Sequence, residues 1–386
     1  MSSKIRVGNL QYTIGKKNMM GEFATDKHSR LTGIFAVPQW AKGKYAVCIL
    51  CIILFSSCSK IFIDADVANN PKSNFDYLWN DIHNRYSFLD YKNIDWNKVY
   101  DTLAPKIHNG MPNEDLFDVL ETMLNTLRDG HVNLTSPFNE SNYYPIFLGS
   151  PQNYDGRLVL ENYLLRDPAQ YYITGNLLNT IIDTLGVRVG YIRYSSFINT
   201  ISSYDISYVI NRFLVDSVDG VIIDVRNNGG GDVGNIFPLV NHFADEKRLA
   251  YFSQIKAGPG INDFYDDEEV YMQPASTAYQ FTGRIAVLTN RSSYSATSLF
   301  SLAMKQIPYV KLIGDSTGGG LGAPTFAELP NGWTYRFSVT RTLSPDGDNW
   351  ENGIPADILI DLDPALQDQG YDSIIERAIQ YIITGN

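Results

Sequence analysis

Apolar positions along the chain follow two periods. Between residues 75 and 127 the spacing is helical. Phe75, Leu78, Trp79, Ile82 and Tyr86 form one stripe. Trp96, Val99, Leu103 and Ile107 form a second, opening after Asp95 as N-cap. Leu116, Leu120, Met123, Leu124 and Leu127 form a third, with Glu114 and Asp115 in its first turn. These stripes predict three core-facing helices. The third runs into Arg128-Asp129-Gly130-His131, with Gly130 as the expected stop, and then into alternating Val132-Asn133-Leu134. Residues 144–184 predict short β pieces such as Ile146–Leu148 and Leu158–Leu160.

From residue 187 strands and helices alternate. Val187–Tyr194 reads as a strand, Ile206–Leu214 as a helix and Val221–Val225 as a buried strand. A helix around Ile236–Phe243 follows, then the apolar run Ile285–Leu288. Ala296, Leu299, Phe300 and Ala303 next fall at i, i+3, i+4 and i+7. Val310–Ile313, two strands around Asn331-Gly332 (the second Trp333–Thr340), a last strand within Ser344–Ile360 and a helix over Tyr371–Ile383 complete the pattern. Such alternation predicts an α/β fold with a mainly parallel or mixed sheet and crossover helices.

Two of the strand-to-helix loops carry chemistry. In the first, a polar turn over Thr289–Ser293 leads to Ser295 at a helix start. A serine there has an exposed hydroxyl beside unpaired backbone N–H groups, the arrangement that acyl transfer needs. Helix capping by Ser292, Ser293, Ser295 and Thr297 is the alternative. In the second, Val221–Val225 runs into Arg226-Asn227-Asn228-Gly229-Gly230-Gly231. Consecutive glycines allow φ > 0 and turn amides outward. A phosphate loop of the Walker type would need a following Gly-Lys-Ser/Thr, which is absent, so an oxyanion-binding loop fits better.

Composition narrows the partners. The net charge of −11 argues against nucleic acid and anionic membrane surfaces. All three cysteines, Cys48, Cys51 and Cys58, lie in one stretch, which leaves the later chain without a disulfide, thiolate metal site or cysteine nucleophile. Lys42 and Lys44 precede an apolar run over Tyr45–Phe55 of signal-peptide length, followed by Ser56-Ser57-Cys58. LFSSC resembles the lipobox of bacterial lipoproteins. That resemblance implies cleavage before Cys58, acylation of its thiol and attachment to the cell envelope. The stretch before Lys42 is long for such a segment, so translation is expected to begin at Met19 or Met20. Residues 1–57 are then a targeting segment and 58–72 a tether.

Four stretches, in order, resemble one family: DGHVNL (129–134), GVIIDVRNNGGG (220–231), LTNRSSYSAT (288–297) and IGDSTGGG…GIPADI (313–358). They are similar to the tail-specific, or C-terminal-processing, serine proteases. The helical start, with Asp95-Trp96, resembles the branch that shares its core with the tricorn protease. The resemblance implies a crotonase-like α/β catalytic core over 187–386, with an N-terminal three-helix subdomain over 73–130. Residues 131–186 would be a small β-rich connection, too short for a complete PDZ domain. By the same resemblance Ser295 is the nucleophile. The backbone N–H of Ala296 and one from Gly229 or Gly230 form the oxyanion hole.

The bacterial branch uses a lysine base in the stretch matching Thr317–Gly322, where this chain has only glycines and Leu321. Lys305 lies ten residues beyond Ser295 on the same helix, about 15 Å along the axis and on another face, too far to replace it. The tricorn-like branch uses a histidine oriented by a glutamate, and His131 and Glu351 match those positions. The expectation is thus a lipid-anchored envelope serine endopeptidase acting on peptides or unfolded segments, without metal or organic cofactor. An inactive peptide- or ligand-binding homologue is one alternative, and a thioester-acting crotonase-like enzyme another.

Overall fold

The computed structural model describes residues 68–143, 150–165, 171–276 and 279–386. The targeting segment, Cys58, most of the tether and the strand expected over 146–148 lie outside them.

The three N-terminal stripes form helices α1 (Pro71–Arg85), α2 (Trp96–Leu103) and α3 (Asn113–Asn125). Asp95 caps α2 as expected, accepting a hydrogen bond from Lys98 N. The stop of α3 differs from expectation. The residue that turns left-handed is Arg128, at φ 49°, and not Gly130. Arg128 can hold that conformation because its guanidinium and its carbonyl are both tied to Lys92.

These helices do not form a core alone. They pack on a small sheet of β1 (Asn133–Thr135), β10 (Pro324–Glu328) and β11 (Thr334–Ser338), in the order β1-β11-β10. Phe117 and Leu120 of α3 share one apolar cluster with Trp333, Tyr335 and Phe337. Residues some 200 positions apart therefore fix where His131 sits, just before β1.

Among the described residues the main sheet has seven strands. Its parallel part comprises β4 (Val187–Tyr194), β5 (Gly220–Asp224), β8 (Arg284–Thr289), β9 (Val310–Gly314) and β13 (Ile358–Leu359). β2 (Tyr172–Thr174) and β3 (Leu177–Thr184) extend it antiparallel from β4. The boundary expected after residue 186 thus falls inside the β3–β4 hairpin, so the connecting stretch is part of the core sheet. Leu158–Leu160, expected as β, is instead helical: α4 (Gly156–Val159) runs into a π-turn over Leu160–Leu164. Asp155 caps it through Arg157 N and Leu158 N, and Val159 and Leu164 pack under the sheet.

Alternation along the strands explains the layers. Val221 and Ile223 of β5, with Ile285 and Val287 of β8, face one cluster; Ile222, Ala286 and Leu288 face the other. Helices α5 (Ser203–Val215), α6 (Ile236–Val240) and α7 (Ala296–Lys305) cover the first face. The C-terminal helix, Ser373–Thr384, covers the second. A separate three-stranded sheet joins β6 (Arg248–Ile255), β7 (Glu268–Met272) and β12 (Thr340–Leu343).

Candidate active site

Both chemistry-bearing loops leave the carboxyl ends of neighbouring parallel strands, β5 and β8, where open α/β sheets form their clefts. Asparagines lace them together. Asn227 N donates to Asn290 Oδ1 at 2.9 Å, Asn290 Nδ2 donates to Asn227 Oδ1 at 2.6 Å, and Tyr294 N donates to Asn228 O at 3.0 Å. Beneath them Arg226 is fully buried between Asp224 and Asp372, at 2.6 and 2.9 Å. That fixed charge network holds the glycine loop to the sheet.

Two serine hydroxyls at this turn are tied down. Ser293 Oγ donates to Val225 O at 2.9 Å and accepts from Asn290 N at 3.1 Å. Ser298 Oγ donates to Ser293 O at 3.1 Å. Ser295 holds the N-cap position of α7 but makes no side-chain cap bond, so capping does not explain it. Its backbone sits at φ 58° and ψ −123°, a conformation that L side chains avoid and that persists only under restraint. The restraint is a bond from Ser295 N to Gly319 O at 2.9 Å.

His131 Nε2 lies 2.9 Å from Ser295 Oγ. Burial holds the ring below the usual histidine range. Asp129 opposes that shift, while the charges of Arg336 and Lys92 add to it. The other ring nitrogen, Nδ1, makes no hydrogen bond of good geometry, although the Gly322 backbone beside it favours the protonated ring.

Glu351 is buried near this pair but does not bond to His131. Its Oε2 accepts from Leu321 N at 2.8 Å and Gly322 N at 3.1 Å. The expected direct clamp on the imidazolium is therefore corrected: the loop over 319–322 stands between the carboxylate and the ring. The backbone carbonyl of Glu351 also accepts from Gly320 N, and Ser295 N bonds to the adjacent Gly319. Glu351 thus shapes the loop that touches both nucleophile and base.

A carboxylate closer to His131 in sequence holds its backbone. Asp129 Oδ1 accepts from His131 N at 2.8 Å, and its Oδ2 accepts from Tyr86 Oη at 2.8 Å. Lys92 Nζ sits 3.5 Å from Asp129 and 3.9 Å from Glu351, all three residues buried. Burial pushes Asp129 up, but Lys92, His131 and these hydrogen bonds hold it below the usual carboxylate range. Burial and the Asp129 charge push Glu351 up to about 8. Lys92 and Tyr86 were not visible as site residues, because each lies in or beside a helical stripe with no motif. Asp129 was visible as part of DGHVNL.

Of the two glycine amides expected for the oxyanion, that of Gly230 is committed to Asn228 Oδ1 at 3.0 Å. The amides of Gly229 and Ala296 have no partner among the described residues. Gly230 serves by its shape instead. At φ 95°, a Cβ there would lie 2.7 Å from Tyr294 O and 2.9 Å from Ala296 N. Lys305 lies away from this centre, with its Nζ bonded to Pro355 O and paired with Asp357. A cavity of about 470 Å³ opens over Ser295, His131, Gly229 and Leu299, with Arg336 on its wall.

A second line of evidence comes from known proteins. The model of peptidase family S41 matches residues 188–360, and that of the tricorn protease C1 domain matches residues 68–125. A solved structure from Parabacteroides merdae, described as a candidate peptidase, is 34% identical and aligns over 83% of this chain and 98% of its own, with a TM-score of 0.76. The chain belongs to peptidase family S41.

Other relatives of this S41 chain are more distant. The carboxy-terminal processing protease CtpB of Bacillus subtilis is 24% identical over 177 residues, 45% of this chain and 34% of its own length. A CtpA-like serine protease of Staphylococcus aureus is 26% identical over 175 residues, with the same coverage. The chain thus aligns with about a third of the length of these curated relatives. Mature CPAF shares the fold, with a TM-score of 0.59 over 83% of this chain and 98% of its own, at 12% identity.

Proposed function

We propose that this S41 chain is a serine endopeptidase that hydrolyses peptides or unfolded protein segments. The observation that carries the reading is the 2.9 Å approach of His131 Nε2 to a hydroxyl held at a strained helix start. A base within hydrogen-bond reach of an otherwise uncommitted serine is the minimum for nucleophilic acyl transfer.

The chemistry follows from the positions. Ser295 Oγ attacks the scissile carbonyl as His131 Nε2 takes its proton. The negative oxygen forms beside the Gly229 and Ala296 amides, which have no competing acceptor among the described residues. His131 then returns the proton to the leaving amine, and a water molecule, deprotonated by the same ring, releases the acyl group. Asp129 holds the base through its backbone, and Glu351 holds the loop against it. No step requires a metal, so chelators are expected to leave the rate unchanged.

A fluorophosphonate probe tests the reading, because only an activated serine is labelled. Labelling of the wild type, its loss in Ser295→Ala and parallel loss of peptide cleavage would support it. An unlabelled, folded wild type would leave the alternative of an inactive peptide-binding homologue. We also propose that the chain is anchored to the envelope through an acylated Cys58. Mass spectrometry of the mature N-terminal peptide tests this, and an unmodified Cys58 within a longer chain would refute it.

A further inference from the structure

Arg336 is a charged group on the cavity wall that the mechanism above leaves unused. It lies on β11, opposite Asn133 of β1 in the register, two residues beyond the base. Its Nε donates to Asn133 Oδ1. Among the described residues neither Nη group has an acceptor, and no carboxylate stands within ion-pair distance. Glu140 lines a second cavity of about 200 Å³ that also meets Arg336, but the two do not pair.

A guanidinium whose terminal nitrogens have no acceptor among the described residues is unusual in this place. The chain as a whole is acidic, at −11, so carboxylates to neutralise an arginine are plentiful. Every other half-buried or buried arginine around the catalytic loops has an acceptor for its terminal nitrogens. Arg226 has Asp224 and Asp372, Arg193 has Asp224 O, and Arg291 has Thr317 O. Arg336 is half-buried, on the same wall as Ser295 and His131, and its charge works against the base. A planar fork with two free N–H edges is the complement of a carboxylate.

We propose that Arg336 binds a carboxylate of the peptide substrate and thereby sets specificity beside the scissile bond. This rests on the peptidase reading above. The carboxylate comes either from an acidic side chain or from a free C-terminus, since both present the same two oxygens. Its arrival neutralises the positive field that Arg336 exerts on His131. The base is then stronger with an acid-bearing substrate bound than in the free enzyme. The cation thus links substrate choice to proton uptake.

The test compares the full chain with Arg336→Gln and Arg336→Lys. Fluorophosphonate labelling of Ser295 comes first, since it reports the nucleophile without a peptide. Cleavage is then measured on matched peptides that differ only as Asp/Asn or Glu/Gln at each position around the bond, each with a C-terminal acid or amide. Binding of the same pairs to Ser295→Ala, read by fluorescence anisotropy, gives the preference independently of turnover. In the wild type the acidic member of the preferred pair should win by about tenfold or more. Arg336→Gln should bring that ratio near one while sparing the neutral member, and Arg336→Lys should restore part of it. A preference that survives amidation assigns the carboxylate to a side chain; one abolished by amidation assigns it to the C-terminus. A labelled enzyme with no acid preference overturns the proposal alone. So does equal loss on both members in Arg336→Gln, which would mark Arg336 as a strut to Asn133. An unlabelled wild type that binds no peptide overturns the peptidase reading and the proposal together.

Discussion

A buried imidazole flanked by two cations is a weaker base than one in water. His131 is lowered by burial first, then by Arg336 and Lys92, with Asp129 working the other way. Catalysis needs the neutral ring, which is lost as the pH falls through its pKa. The acid limb of kcat/KM is therefore expected below pH 6.5, the unperturbed value. Removing a cation should move the limb up, so Arg336→Gln should show it at higher pH than the wild type. A pH–rate profile on one neutral peptide measures both. Glu351 calls for a different expectation. Its Oε2 accepts from two backbone amides and none of its atoms meets the ring, and at about 8 it holds a proton near neutrality. Glutamine keeps the acceptor and the shape. Glu351→Gln should thus cost less than tenfold in kcat at pH 7, whereas Glu351→Ala should cost more by freeing the loop over 319–322. Steady-state kinetics on the two variants separates orientation through the loop from a direct charge on the base.

At the scale of elements, the strand–loop–helix units were legible because their burial is local. Val221–Ile223 and Ile285–Leu288 are apolar on both faces, as strands covered by helices on both sides must be. Ser295 and the glycine run were legible as punctuation between period-two and helical patterns. Two kinds of feature were hidden. Leu158–Leu160 is short and apolar, and periodicity cannot tell such a run from a strand; the Asp155 cap decides for helix. Contacts between distant loops were hidden too, since Glu351 stands near the active site yet bonds to residues 321 and 322 instead of His131. The oxyanion amide was left open between Gly229 and Gly230, and the two differ. Gly229 offers an unpartnered amide, while Gly230 offers a missing side chain. Gly230→Ala should force its new Cβ into Tyr294 O and Ala296 N and push the serine elbow away from its place. A loss of at least about a hundredfold in kcat is expected, the size of losing an oxyanion donor. Thermal unfolding should accompany the kinetics, because the strained φ of 95° also disfavours the variant's fold.

At the scale of the molecule, the nucleophile and the base belong to different layers. Ser295 rides on the main sheet, whereas His131 rides on the small β1-β11-β10 sheet under the N-terminal helices. Lys92 is one of the links between them. From the loop after α1 it reaches Arg128 O at 3.2 Å, Asp129 on the base's side and Glu351 on the nucleophile's side. Nothing in the sequence around Lys92 marks it, since its partners lie 36 to 259 residues away. Lys92→Met keeps most of the volume and removes the cation. Asp129 then loses its counter-charge, and above about pH 8 the Glu351 carboxylate joins it; breaking a buried ion pair in this way costs about 3–5 kcal/mol. The pH dependence gives the mechanism away. Without Lys92 the folded state must hold an extra proton on the Asp129–Glu351 pair, whose unfolded counterparts lose theirs near pH 4. A fold that binds more protons than the unfolded chain loses stability as the pH rises. The destabilisation of Lys92→Met should therefore be larger at pH 9 than at pH 6 in urea titrations. If the loss were the same at both, Lys92 would act through packing against Tyr86 and Phe88, whose rings lie 5.8 and 5.6 Å from its Nζ, rather than through charge. With the electrostatic origin, Lys92→Met at pH 9, where Glu351 would otherwise ionise, should regain stability when Glu351→Gln is added, because one neutral partner removes the repulsion. A double-mutant cycle at that pH measures the coupling, and a coupling near zero would assign the cost of Lys92→Met to lost packing alone.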